Sequence, residues 1–521
     1  RHRPHISNEK DMHRFLTTTA LALAGFTAST AVADTIDVCA GCDYTSIQAA
    51  IDNAADGDEI LVAPGVYTSD HPAHVVDMLG KAITLRSSGG PDVTFIDGEG
   101  VRRGIVCFNG ETADTIIEGF TIQNGFGAEY DYDGDGESSS ETTGGGALNL
   151  FSSPTVTNCT FTNNAADDGG GMHNWDSSPT LTNCTFTNNS AATTNWSRGG
   201  GMYNRSSSPT LTDCTFTNNS ATRSGGGMFN QFSDSTLTGC TFTNNSTTAH
   251  YSNGGGIANV HGSLTLIECT FTGNSAAFPN DESSHWDSRG GGFYAAYCDP
   301  ILTNCTFTDN SAVWGGGMLV EGFCHPTLTD CTFTDNSAHQ GGGFWSGYGK
   351  AVNEGTTMTN CTFTNNSAID GHDLDGTLVP GRGGGMYFWA IGDVAITNCR
   401  FTGNSASGVG GGIWGTAFQP KSLIDCTVCE NTVDNVATDD NQIEGHSVEN
   451  ISSGNCIAAD CTDCDDTCIG DLNDDGVVDA ADIGLLFAVW GSDDPEADFD
   501  GDGTVGAFDL GYVLGYWGPC P

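Results

Sequence analysis

Positive charge is what this chain has least of. It carries 16 Lys and Arg against 65 Asp and Glu, a formal net charge of −49 over 521 residues. Nucleic acid and anionic bilayers are held by clustered cations, so both are excluded as electrostatic partners. Proline is sparse, at 15 residues, and the 72 glycines follow no collagen-like period. Those glycines therefore speak for turns rather than for a triple helix or disorder. Long apolar runs are missing as well. The stretch Phe15 to Phe26 is too short to span a bilayer and nothing later reaches that length, so no transmembrane span is expected.

That apolar stretch has a different reading. Met12-His13-Arg14 opens a short basic segment and Ala31-Val32-Ala33 fits a small-residue cleavage site, so residues 1–33 read as overrun plus a secretory signal peptide. The expected location is secreted, extracellular or at the cell surface.

What fills the middle of the chain is a repeat. A phrase close to Asn-Cys-Thr-Phe-Thr-Asn-Asn-Ser-Ala recurs with its cysteine at Cys159, Cys184, Cys214, Cys240, Cys269, Cys305, Cys331, Cys361 and Cys399, and in decayed form at Cys426. A Gly-Gly-Gly triplet plus an apolar residue answers each copy. Self-similarity at this spacing means stacked units that cannot bury a core singly. The shortest period, Cys159 to Cys184, is too short for a strand–helix unit and suits a solenoid coil of three short strands.

Parity within a copy supports strands. In Leu181 to Asn189, Cys184 and Phe186 share one side while Thr185 and Thr187 take the other. Leu181 joins the inner side if the chain turns at Thr182-Asn183, and the pair Asn188-Asn189 makes the next corner. Ranks of Cys, Phe, Leu or Val, and the residue after each triplet should then line the interior. Parallel neighbours about 4.8 Å apart are too distant for disulfides, so the repeat cysteines read as a buried thiol ladder. Better disulfide candidates are Cys298 with Cys324, the group Cys456, Cys461, Cys464 and Cys468, the terminal Cys520, and a local Cys39–Cys42 staple.

Before the repeats, Ile47 to Ala55 reads as an amphipathic helix, followed by the strands Ile60 to Tyr67 and Ala82 to Leu85. This opening resembles the right-handed parallel β-helix proteins of the pectate-lyase-like group. The repeats, with Phe161-Thr162-Asn163-Asn164 and Gly170-Gly171-Met172, resemble those of chlamydial polymorphic outer-membrane proteins. The resemblance implies an all-β, right-handed parallel β-helix solenoid with an N-terminal capping helix over residues 34–435. Residues 436–468 read as a Cys-rich linker.

Candidate binding residues come from parity. The second residue after each triplet should face outward, giving an aromatic column of Tyr203, Phe229, Tyr294, Trp345, Tyr387 and Trp414 on which sugar rings could stack. Two long corners, 277–289 and 370–382, stand three coils apart, ~14 Å at strand spacing, and should wall a trough floored near Leu319 and Trp345. Their carboxylates, Asp281, Glu282, Asp287, Asp373 and Asp375, are the candidates for acid–base work on a glycosidic bond. Thr160, Thr162, Thr185 and Thr187 stand where the related lyases and hydrolases would need strand carboxylates. That grid also resembles the arrays of ice-binding solenoids.

The end of the chain, residues 469–521, carries a duplicated calcium loop. Asp471, Asn473, Asp475, Val477 through its carbonyl, Asp479 and Asp482 form one copy; Asp498, Asp500, Asp502, Thr504 through its carbonyl and Asp509 form the other. Each precedes an apolar segment. The pair resembles type I dockerins, which implies bound Ca2+ and a small helical domain that docks to a cohesin-like receptor. At the positions that dockerins use for docking stand Ala480-Ala481 and Ala507-Phe508, which leaves either a divergent surface receptor or calcium that is structural only.

Two function classes result. The first is a secreted calcium-binding β-helix that binds extracellular glycans or cell surfaces, of the adhesin or structural type. The rival is a polysaccharide lyase or glycoside hydrolase in polysaccharide breakdown, with an ice-binding solenoid as a minor alternative.

Overall fold

The computed structural model describes residues 33–519 apart from 130–141, 277–287, 348–354, 373–377, 390–392, 416–419, 439–441, 446–454, 462–469, 474–476, 500–502 and positions 493, 495 and 496. Among the described residues, strands from successive coils pair in parallel into long sheets of 13, 14, 14 and 11 strands, the last pair of the 11-stranded sheet being antiparallel. One coil shows the path. Met172–Trp175 lies in sheet 1, Thr180–Thr182 in sheet 2, Thr185–Thr187 in sheet 3 and Ser190–Ala191 in sheet 4. The fourth strand corrects the three-strand expectation: the Ser-Ala pair after the asparagines forms its own ladder, Ser190 with Ser220 and Ala191 with Ala221.

Register is kept from coil to coil, apart from a shift between Val394 and Ala395. Met172 pairs with Met202, Leu181 with Leu211 and Phe186 with Phe216. The inner ranks are fully buried, and the phenylalanines stack at 4.7 Å with rings 3° from parallel. The repeat cysteines are free buried thiols, as the spacing argument required. Burial pushes the Cys159 thiol up to about 12, so it behaves as a small apolar side chain.

Two of the corners with left-handed backbone carry asparagine. Asn183 has φ 51° and Asn188 has φ 55°. Asn, Asp and Gly tolerate this region best, which is why other copies carry Asp213 or Gly239 at the first corner and Gly273 or Asp309 at the second. The triplet glycines are needed for closeness as well. A Cβ on Gly170 would sit 2.5 Å from the Ser190 carbonyl oxygen, and one on Gly171 would sit 2.4 Å from that of Gly201.

The second asparagine of each pair is fully buried. Asn189 is fully buried, and its Nδ2 donates to Asn219 Oδ1 at 3.0 Å and to the Phe161 carbonyl at 2.9 Å. Its Oδ1 accepts from the backbone N–H and Nδ2 of Asn164. All four bonding positions of the amide are used. The same ladder runs through Asn219, Asn245, Asn274, Asn310, Asn336, Asn366, Asn404 and Asn431, where Gln442 takes the next place.

The ends of the stack differ from one another. The helix Ile47–Asn53 buries Ile47, Ala50 and Ile51. Its Gln48 side chain accepts from the Asp77 N–H at 2.8 Å and donates to the Asp77 carbonyl at 3.2 Å, continuing sheet 1 with an amide. At the other end, Ile443–Gly445 joins sheet 1 and Cys456–Ala458 joins sheet 3. The coils therefore continue into the stretch expected as a linker.

The disulfides are part expected and part new. Cys39–Cys42 is bonded, and Cys429 pairs with Cys461, a partner not foreseen. Cys298 and Cys324 are not bonded; their sulfurs lie 4.0 Å apart. They occupy the column held elsewhere by Ser177 and Ser207. Cys324 Sγ accepts the Cys298 N–H just as Ser207 Oγ accepts that of Ser177. Cys464, Cys468 and Cys520 lie outside the described residues.

Neighbouring asparagines should respond oppositely to substitution. Asn189→Ala strands buried donors and acceptors and should cost roughly 2–3 kcal/mol. Asn188→Gly keeps the left-handed corner and should change stability by less than about 0.5 kcal/mol. Thermal melts of the two variants against the parent check both outcomes.

Candidate binding surfaces

The aromatic column after the triplets exists but is covered. Tyr203, Phe229, Tyr294, Trp345 and Tyr387 are 1, 5, 5, 1 and 0% exposed, and Trp414 is half-buried. They point away from the lumen, yet form a second core with Leu319, Trp314, Ala258 and Ala296. The correction has a physical cause in the corner before each triplet. There the chain reverses tightly: a Cβ on Gly199 would meet Tyr203 Cβ at 2.8 Å. The residues before the triplets consequently lie over the outer side of sheet 1. Arg198 Cζ sits 5.4 Å from the Tyr203 ring centroid, and Trp314 stacks on Trp345 at 5.7 Å.

Several polar atoms in this layer pair internally. Tyr203 Oη donates to Gln231 Oε1 at 2.7 Å. Glu321 Oε1 takes the Tyr294 hydroxyl at 2.6 Å and Arg289 at 2.9 Å. His173 begins the column, stacked on Tyr203 at 4.8 Å, and neither ring nitrogen has a hydrogen-bond partner among the described residues. Burial, and then the charges of Arg205, Arg103 and Arg198, pull its pKa down to about 3.

The expected trough does not have its floor. Leu319 and Trp345 are buried. Asp281, Glu282, Asp287, Asp373 and Asp375 lie outside the described residues.

A different aromatic column is open to solvent. It occupies the position directly after some of the sheet 1 strands: Phe151, Phe232, His261, Tyr297 and Trp389. Phe232 stacks on His261 at 5.0 Å, and His261 on Tyr297 at 4.9 Å. Phe232 and Tyr297 are 58 and 52% exposed. Phe151, Phe232, His261 and Tyr297 all have φ between 48° and 55°. Bulky side chains seldom occupy this region, at a cost of roughly 1–2 kcal/mol each. Parity reasoning stopped at the strand's end and missed them. The sequence signal was an aromatic where other coils place Asp176 or Ser206.

The C-terminal unit repeats itself in structure. Its helices are Ala480–Ala488 and Ala507–Gly515. Asp482, fully buried, accepts the Leu472 N–H at 2.8 Å and the Asp479 N–H at 2.7 Å. Asp509 does the same for Phe499 and Gly506. Val478, Leu486, Val505 and Val513 form the core between the copies. Asp498 Oδ1 is buried without a hydrogen-bond partner among the described residues, while Asp498 Oδ2 accepts the Gly503 N–H. Asp471, Asn473, Val477, Asp479 and Thr504 are also described; Asp475, Asp500 and Asp502 are not. Among the described residues no three acidic, His or Cys side chains converge as a metal cluster.

Comparison with known proteins agrees with the coil geometry. The family described as the right handed beta helix region matches residues 103–278, 202–372 and 302–474. Among curated proteins none matches the chain. Solved structures with remote similarity to the chain include the following three. The pectate lyase Pel9A is 11% identical with a TM-score of 0.30, covering 70% of this chain and 78% of its own. The Azotobacter vinelandii mannuronan C-5 epimerase AlgE6 A-module is 12% identical at 0.31, covering 79 and 93%. The Siphovirus 9NA tailspike receptor binding domain is 12% identical at 0.25, covering 82 and 76%.

His173 gives the covered layer a pH signature. Its pKa is depressed in the fold, so the unfolded chain binds more protons as pH falls below 6.5. Stability should therefore be lost between about pH 6.5 and the folded value. In His173→Phe this part of the loss should vanish, so the melting temperature should fall less between pH 7 and pH 4.5 than in the parent.

Proposed function

Because the chain belongs to the right-handed β-helix family, we propose that it works as a long rigid binding surface. In this reading it is an exported, calcium-binding β-helix that holds extracellular glycans or cell surfaces without cleaving them. The observation that carries the proposal is the exposed column Phe232–His261–Tyr297. Its residues accept left-handed backbone at a position where Asp or Ser serves elsewhere, and exposure returns little burial energy for that cost. Strain retained at an exposed site is a mark of function. Exposed aromatic patches are contact surfaces, and rings with polar edges suit amphipathic partners such as sugars.

The C-terminal unit supports retention through a dockerin-like module. Its residues fit calcium: an orphaned buried carboxylate oxygen at Asp498 begins the second loop, and Asp482 and Asp509 close the loops. Asp471, Asn473, Asp479 and Asp482 would hold the ion in the first copy, with Asp498 and Asp509 in the second. A bound ion would tie loop to helix, and the exposed Leu485, Phe487, Phe508 and Leu514 would face a cohesin-like receptor of apolar character.

Glycan-array binding should be weakened in a Phe232→Ala/Tyr297→Ala double variant that melts like the parent. Release of reducing sugar or unsaturated product from uronic-acid or neutral polysaccharides would replace this reading with that of a lyase or hydrolase. In calcium titrations by calorimetry, the parent should bind two ions. Asp498→Asn should weaken one site at least about ten-fold and leave the other.

A further inference from the structure

Arginine is scarce in this acidic chain, yet several arginines gather at the corner before the glycine triplets: Arg198, Arg223, Arg289 and Arg382. Arg198 is neutralised by Asp168 at 3.2 Å and Arg289 by Glu321 at 2.9 Å. Arg223 has no acidic partner among the described residues. It lies instead between two rings from the coils on either side. Its Cζ is 4.5 Å from the Trp196 ring centroid and 5.7 Å from that of Tyr251.

Both rings are open, Trp196 at 64% and Tyr251 at 53% exposure, while the guanidinium is half-buried between them. Tyr251 has φ 59°, a bulky side chain in left-handed backbone at an exposed corner. The backbone is pinned. The Arg223 N–H donates to the Ser197 carbonyl at 2.9 Å, and its carbonyl accepts the Asn253 N–H at 2.9 Å. Ser197 is buried and accepts the Thr194 N–H, fixing the loop that carries Trp196. The charges of Arg289 and Arg198 reach the same place, where, after burial, they pull the Arg223 pKa down.

We propose that Trp196, Arg223 and Tyr251 form a binding site for an oxyanion-bearing sugar residue within a glycan. Aromatic neighbours shield the guanidinium from water, and its N–H edge matches a carboxylate or sulfate in bidentate fashion. The rings offer surface to the sugar on either side. A net charge of −49 disfavours densely charged polymers, but salt screens that repulsion beyond about 8 Å at physiological ionic strength. The site therefore suits glycans with spaced acidic groups. This inference rests on the glycan-binding reading and names its substrate class.

The test is calorimetry of the full chain with three hexasaccharides: one bearing glucuronate, one bearing sulfate esters and one neutral. A charged hexasaccharide should bind more tightly than the neutral one, and the stronger of the two identifies the oxyanion. Arg223→Gln should weaken that binding about ten- to hundred-fold, the range for a charge-assisted contact, and weaken neutral binding by far less. Arg223→Lys should restore only part of it, and Trp196→Ala should weaken charged and neutral ligands alike. Circular dichroism melts matching the parent exclude misfolding. Undiminished charged-glycan binding in Arg223→Gln, with neutral binding intact, overturns this inference alone. A parent chain that binds no hexasaccharide overturns the glycan-binding reading with it.

Discussion

The buried asparagine ladder is the constraint on which the rest of the solenoid depends. Each amide, such as that of Asn189, uses both donors and both lone pairs within the stack. A buried polar group that is fully bonded fixes geometry, and one that is half-bonded is costly. The ladder therefore enforces in-register stacking: a shifted coil would strand its own amide and those of its neighbours. In-register stacking in turn sets the phenylalanines ring on ring and holds the free thiols too far apart to cross-link. Gln442, reaching back to Asn431 with the same amide group, shows what the final rung requires.

Perfect stacking leaves little freedom inside and much at the corners. The lumen ranks barely vary, so differences between coils collect where the chain enters and leaves sheet 1. At the entry, the tight glycine reversal lays a layer of Arg, Trp and Gln over the outer aromatics. At the exit, Phe232, His261 and Tyr297 stand in solvent in left-handed backbone. Both corners repeat at strand spacing, so a column of side chains there forms an ordered rail rather than a set of independent loops. Rigid placement of exposed groups lowers the ordering cost of contact with an extended partner.

Much of the coil was legible in the residues. Asn, Asp and Gly alternating at one position declare left-handed corners, and Cys and Phe two apart declare an inner face. The duplicated Asp pattern declared two equivalent loops, and Asp482 and Asp509 indeed make the same pair of backbone bonds. The Ser-Ala strand was not legible, because two residues carry no period. Neither was the role of Cys298 and Cys324, whose sulfurs replace a serine oxygen in a column seen only once coils are aligned.

Local alternation and corner preference thus came from the sequence alone, since both are set by backbone sterics within a few residues. What the tertiary structure decided is which outward residues meet solvent. Parity places Tyr203 and Trp345 on the outer side of sheet 1 but cannot say that another part of the same coil folds back across them. The Arg223 site is of the same kind. Its two rings stand 27 residues before it and 28 after it in the chain, and become neighbours only because each coil returns to the same register.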